Sequence, residues 1–159
     1  MGGVMSRIAR GCVAVVLLSL PLLAAAPCAD EKDSVDVAVI AILASEKSDK
    51  IDPKLVCIAK QVREKDKKLT GFQIATISRK SLKIGEQEKF DLVGDQSVPV
   101  TVIKGADENN RVQLKIAPPK MGEITYDTCC GKFLPLFTGY RTKNDELLIV
   151  AVSVRTCRK

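Results

Sequence analysis

The sequence predicts a mainly β (α+β) protein. We expect an antiparallel β-sandwich or partly open barrel of about seven to eight strands, with one packed α-helix near the N-terminus of the mature chain. Hydrophobic residues make up 46% of the chain, but aromatic residues only 4%, and tryptophan is absent. The core must therefore be built from valine, isoleucine and leucine, which favours sheet. Most apolar segments alternate with a period of two, and one has the helical period.

The first 29 residues have the organisation of a bacterial secretory signal peptide. Arg7 and Arg10 form a basic start, and residues 12–23 form an apolar segment that is short for a membrane span. Small residues follow. We expect cleavage after Ala29, which leaves residues 30–159 as a single β-rich domain in the periplasm or the extracellular space.

Cys28 offers an alternative end for this leader. A lipidated cysteine at the mature N-terminus would make the protein a lipoprotein, although Pro27 occupies the place where a small residue is expected. An uncleaved leader that anchors the chain is a third alternative. Membrane contact is therefore expected only through the leader or through a lipid on Cys28.

The exported domain begins with a strand and a helix. Residues 35–44 are apolar almost throughout, as in a strand at the centre of a sheet. Asp52 followed by Pro53 is a typical helix start and predicts a helix at about residues 53–66. Its apolar stripe consists of Leu55, Ile58, Ala59 and Val62. The helix should pack through this stripe, with Cys57 on the outward face.

Beyond the helix, period-two segments punctuated by Gly, Pro and Asn predict a series of strands. They cover residues 71–78, 88–93, 97–104 and 111–117. The end of the chain predicts a three-stranded antiparallel meander. Its strands cover residues 123–130, 133–140 and 147–154. The last of these is nearly continuous aliphatic sequence, as expected for a strand that is buried on both faces.

This meander resembles the closing β-hairpins of bacterial secretins, the outer-membrane pore proteins of type II and type III secretion. The resemblance depends on a threonine-rich strand, Gly-Lys-Phe-Leu at residues 131–134, Gly139, a charged turn, and Glu-Leu-Leu-Ile-Val at residues 146–150. Secretins prefer two glycines at Gly139 and have Thr-Pro in place of residues 153–154. Small uncharacterised secreted bacterial proteins have a comparable β-rich end. The resemblance implies a component of an envelope or secretion assembly.

Two of the six cysteines lie in the leader, and an exported compartment favours disulfides among the others. Cys57, Cys129, Cys130 and Cys157 allow three connectivities. If the last hairpin turns through residues 142–145, Cys130 falls opposite Cys157 in the ladder. A turn that is one residue longer would put Cys129 there instead. We expect a Cys130–Cys157 disulfide, with Cys129 left to pair with Cys57.

Cys129 and Cys130 also support a different function, thiol redox chemistry or metal handling in the exported space. An adjacent pair does not have the spacing of zinc sites, and Cys-x-x-Cys is absent. Histidine, the commonest general base and zinc ligand, is absent as well. No phosphate-binding glycine loop or EF-hand spacing occurs. We therefore predict no catalytic, cofactor-binding or metal-binding residue and expect no cofactor.

The net charge of +6 arises from lysines and arginines interspersed with acids, as in residues 63–67. Such mixing indicates a solvated surface rather than a nucleic-acid site. The sequence thus predicts an exported, non-enzymatic β-domain with a structural or binding role. The ligand and the partners are not indicated, although envelope proteins would fit the resemblance to secretins. The alternatives are the thiol or metal function and a component of an envelope assembly.

Overall fold

The computed structural model describes residues 34–156, which form eight strands and one α-helix. The strands are β1 (Ser34–Ser45), β2 (Gly71–Lys83), β3 (Gln87–Asp91), β4 (Ser97–Lys104), β5 (Arg111–Ile116), β6 (Ile124–Cys129), β7 (Phe133–Arg141) and β8 (Leu147–Thr156). The predicted leader with Cys28, and Cys157, lie outside the described residues. Within residues 34–156, no helix has the length and hydropathy needed to cross a membrane.

The helix forms where the sequence predicts it. A 3-10 turn (Pro53–Leu55) leads into α1 (Val56–Lys65). The Asp52 carboxylate accepts a hydrogen bond from the Lys54 backbone N–H at 2.9 Å, which satisfies one of the free donors at the start of the helix.

Two antiparallel four-stranded sheets form the predicted sandwich. Sheet 1 has the strand order β2-β1-β8-β7, and sheet 2 has the order β3-β4-β5-β6. The chain passes between the sheets after β2 and again after β6, and the first and last strands pair with each other. The described strands do not close into a barrel. β1 and β8 are therefore the central strands of sheet 1.

Sheet 1 has a buried core on each face, which accounts for its nearly continuous apolar strands. Alternate residues of β1 and β8, such as Val37 and Val152, point between the sheets and pack with residues of sheet 2 such as Leu114. The intervening positions, Ile42 and Ile149 among them, pack under the helix. The helix contributes the predicted stripe of Leu55, Ile58, Ala59 and Val62, all buried. Cys57 is exposed, as the spacing predicted.

The predicted three-stranded meander is wrong. β6 pairs with β5 in sheet 2, whereas β7 pairs with β8 in sheet 1. Residues 130–132 form the corner between the sheets, where Gly131 has a φ of +83°, a conformation that glycine adopts without steric cost. β7 belongs in sheet 1 because it is apolar on both faces: Leu136 packs between the sheets and Phe137 packs under the helix. β6 is a half-exposed edge strand.

The predicted register of the last hairpin is also wrong by one residue. Phe133 pairs with Ser153, one residue before the expected partner. The same offset, continued toward the chain end, brings Thr156 rather than Cys157 to the level of Cys130. The Cys130 Sγ accordingly lies 3.9 Å from the Thr156 Oγ1.

Two changes combine to give this offset. The turn is one residue longer than predicted, because Arg141 pairs with Leu147, and an irregularity in β7 then shifts the register by two residues in the opposite sense. The register shifts between Phe137 and Arg141. Within this segment the buried Thr138 hydroxyl donates to the Leu148 carbonyl oxygen at 2.7 Å and accepts from the Tyr140 N–H at 3.2 Å. The Thr138 side chain thus takes the place of part of the backbone hydrogen-bond ladder. Because this irregularity leaves the apolar pattern of the strand unchanged, the sequence pattern does not indicate it.

Candidate functional site

The helix covers only part of the outer face of sheet 1. It packs over the end of the sheet that contains Ile42 and Ile149. Beyond the helix, one row of outward-facing residues crosses all four strands. Strand pairing aligns Arg79 of β2, Ala38 of β1, Ser153 of β8 and Phe133 of β7 in this row. The next such row, farther from the helix, contains Ser81, Asp36 and Arg155.

These two rows form a groove. Ala38 and Ser153 are small, so the centre of the first row is lower than its ends, where Arg79 and Phe133 stand. The depression has a volume of ≈ 240 Å³ and is also lined by Asp36 and Arg155. We call it the sheet groove, defined by these six residues: Asp36, Ala38, Arg79, Phe133, Ser153 and Arg155.

Positive charge exceeds negative charge around the sheet groove. Its lining contains Arg79, Arg155, the neighbouring Lys80 and one carboxylate, Asp36. The Lys80 ammonium is already engaged on the edge of the sandwich, where it lies 2.7 Å from the Glu88 carboxylate and 2.8 Å from a backbone carbonyl oxygen. The two arginines therefore set the electrostatic character of the groove.

The positions of the two arginines allow both to reach one ligand. Arg79 and Arg155 stand on β2 and β8, on either side of β1 and one row apart. The spacing of strands and residues in a sheet places their Cα atoms about 12 Å apart. Within residues 34–156, neither guanidinium is held by a hydrogen bond or an ion pair. A guanidinium binds a carboxylate or a phosphate through two parallel hydrogen bonds.

No sequence pattern predicted this groove. Its residues come from four strands that are distant along the chain, and none belongs to a motif. One signal was present on β8, where the outward positions change from apolar at Ile149 and Ala151 to polar at Ser153 and Arg155. That change marks where the helix cover ends.

The cysteines predicted to form disulfides lie in different layers. Cys57 is exposed on α1, Cys129 ends β6 in sheet 2, and Cys130 occupies the corner between the sheets. All three thiols are free in this structure. Sheet 1 lies between the layers that carry Cys57 and Cys129, so a bond between these two requires one segment to move. Both pairings stay predictions, and peptide mapping of unreduced protein would decide them.

The described residues do not assemble a metal centre. Among residues 34–156, no group of three or more His, Cys, Asp or Glu side chains is arranged to hold a metal ion. The position of Cys57 on the outside of the helix keeps it away from Cys129 and Cys130. The thiol or metal function therefore stays a prediction, which a count of free thiols on native protein would test.

Tyr126 has a buried hydroxyl that forms no hydrogen bond within the described residues. It lies on β6, pairs with Leu114 across the ladder, and packs against the core between the sheets. Burial raises the pKa of the Tyr126 phenol far above its usual range, because the tyrosinate anion would lose its hydration. Tyr126 is therefore a core residue whose hydroxyl is an unsatisfied polar group.

We expect Tyr126→Phe to raise the free energy of unfolding by about 1–3 kcal/mol at neutral pH, since it removes this unpaired hydroxyl. The folded-state pKa exceeds the unfolded value of about 10, so ionisation of the unfolded chain should reduce wild-type stability above about pH 10. Tyr126→Phe should lose less stability than wild type over the same pH range. Urea unfolding at neutral and alkaline pH measures both effects. Tyr140→Phe is the control, and an unchanged alkaline loss in Tyr126→Phe would contradict the prediction.

No protein-family model matches the chain, and neither does any curated protein or solved structure. The resemblance of the last hairpins to those of secretins stays an expectation. The geometry of the sheet groove is therefore the observation that bears on function.

Proposed function

We propose that the protein is an exported, non-enzymatic binding domain and that the sheet groove is its ligand site. The observation that carries this proposal is a concavity of ≈ 240 Å³ in which Arg79 and Arg155 accompany the exposed ring of Phe133. Small-molecule sites are typically concave, with apolar walls and a few polar groups that fix the orientation of the ligand. The signal-like leader supports export.

The floor of the groove belongs to the most constrained part of the fold. Ala38 and Ser153 lie on the central strands of sheet 1 and pair directly with each other. Their chain neighbours Val37, Val39, Val152 and Val154 are buried in the core between the sheets. A ligand that binds to such a floor does not have to order the backbone first, which favours affinity.

The side chains of the groove support binding rather than catalysis. Arginine keeps its proton throughout the physiological range, so it donates hydrogen bonds but does not act as a general base. Ser153 is only 4% exposed, and a serine nucleophile requires a neighbouring base. The chain contains no histidine, and the Lys80 ammonium beside the groove is bound to the Glu88 carboxylate. Reversible binding requires only the hydrogen-bond donors and apolar surface that the groove provides.

Filling the groove tests this proposal. Ala38→Leu adds a bulky side chain to the groove floor, whereas Ala75→Leu adds the same side chain at an exposed position on β2. Each protein would be purified gently from its native cells and examined by native mass spectrometry. We expect a bound small-molecule mass on wild type and on Ala75→Leu that is lost from Ala38→Leu.

Circular dichroism would confirm that all three proteins are folded. The proposal would be wrong if Ala38→Leu retained the bound mass as fully as wild type, or if none of the three proteins carried a ligand.

A further inference from the structure

We infer that the ligand of the sheet groove is a small organic anion of about ten non-hydrogen atoms in all, in which a carboxylate is joined to an apolar body. This inference rests on the proposed function, because it assigns a chemical class to the ligand of that same site. The charge, the apolar surface and the size of the groove each contribute to it.

The charge of the groove favours an anion with a planar, bidentate group. Arg79 and Arg155 approach from opposite sides of β1, and both side chains are exposed. Hydrogen bonds from guanidinium to carboxylate are charge-assisted and stronger than those between neutral groups. Asp36 lies opposite Arg155 in the ladder and opposes an anion at that side of the groove.

Apolar surface adjoins the groove on two sides, at Ile77 toward the helix and at Phe133 on β7. Ile77 and Phe133 are 45% and 36% exposed, and both face outward from sheet 1. Ile77 pairs with the half-buried Ile40, in the row next to Ala38 and Arg79. The groove thus changes from charged to apolar in two directions, along the strands toward Ile77 and across the strands toward Phe133. A ligand with a carboxylate at one end and an apolar body at the other matches this change.

The volume limits the size of the ligand. The groove volume of ≈ 240 Å³ exceeds that of an engineered cavity of about 150 Å³ that binds benzene, so the groove accommodates a ligand somewhat larger than benzene. An unbranched eight-carbon carboxylate or an aromatic carboxylate of similar size fits this space. A nucleotide or a long lipid would extend well beyond it.

Octanoate and its neutral analogue octanamide are the probes for this inference. Each would be titrated into isotope-labelled protein, with backbone amide shifts followed by nuclear magnetic resonance. We expect octanoate to shift the amides of residues 36–38, 79–81 and 153–155 and to bind at least about tenfold more tightly than octanamide. Added salt should weaken octanoate binding, because the arginines are exposed.

Charge variants identify the groups that hold the carboxylate. Arg79→Ala and Arg155→Ala should each weaken octanoate binding by about tenfold or more. Arg111→Ala is the matched control, because it removes an exposed arginine from sheet 2. It should leave the affinity unchanged. All three positions are exposed, and circular dichroism would verify the fold of each variant.

The outcomes separate this inference from the proposed function. Equal binding of octanoate and octanamide in the groove, or no binding of octanoate while the native ligand mass is retained, would overturn the anion assignment and leave a binding site for a neutral ligand. Undiminished octanoate binding by Ala38→Leu would show that the groove is not the site and would overturn both. An equal loss of affinity in Arg111→Ala would show a diffuse charge effect and overturn the assignment.

Discussion

Replacing Phe72 with alanine should lower the free energy of unfolding by about 3–5 kcal/mol, the cost of removing a large buried aromatic side chain and leaving a cavity. Phe72 is 0% exposed and packs between sheet 1 and the helix. The Arg63 guanidinium lies 5.7 Å from the centre of its ring and donates to the carbonyl oxygens of Leu69 and Thr70. The ring therefore links the helix, the connection after it and the start of β2.

Urea unfolding followed by circular dichroism measures this loss. Phe133→Ala is the matched control, because it removes the same side chain from an exposed position on the same sheet. We expect it to change the free energy of unfolding by about 1 kcal/mol or less. Equal destabilisation by the two substitutions would show that Phe72 is not part of a tightly packed cluster.

Replacing Ile58 with alanine should have the second-largest effect, a loss of about 2–5 kcal/mol in the free energy of unfolding. Ile58 is 4% exposed and lies in the middle of the helix face that packs on Ile42 and Ile149. The substitution keeps high helix propensity, so the loss would report packing against the sheet rather than formation of the helix.

Gln61→Ala is the control for this change, because it alters an exposed position of the same helix and should cost under about 0.5 kcal/mol. Ile58 and Phe72 belong to one apolar cluster, so the double variant should differ from the sum of the single effects. Strict additivity, or equal effects at Ile58 and Gln61, would contradict the packing of the helix on sheet 1.

Those features that depend on neighbouring residues were predictable from the sequence. Asp52 and Pro53 begin the helix because one supplies a hydrogen-bond acceptor and the other a preset backbone angle. The stripe that includes Ile58 and Val62 faces the sheet because helical spacing places these residues on one side. The outward position of Cys57 follows from the same geometry. The aliphatic run of β8 indicated burial on both faces, which sheet 1 provides.

The pairing of strands was less predictable, because many pairings offer similar backbone hydrogen bonds and similar apolar faces. A glycine at position 131 fits a hairpin turn and a corner between sheets equally well. The corner forms because β7 has two apolar faces to bury, whereas β6 has one. The register then depends on the Thr138 hydroxyl, and a shift of one residue is enough to change which residue faces Cys130.

By itself, the sequence determined the structural elements of this protein: the strands of an aliphatic β-sandwich, a helix with one apolar stripe, and charged turns. These properties follow from composition and periodicity, which act over a few residues. Only the tertiary structure decided that Ala38, Arg79, Phe133 and Ser153 share one row and form a groove. The physical reason is that this row exists only after four distant strands have paired, and no local pattern encodes which side chains that pairing brings together.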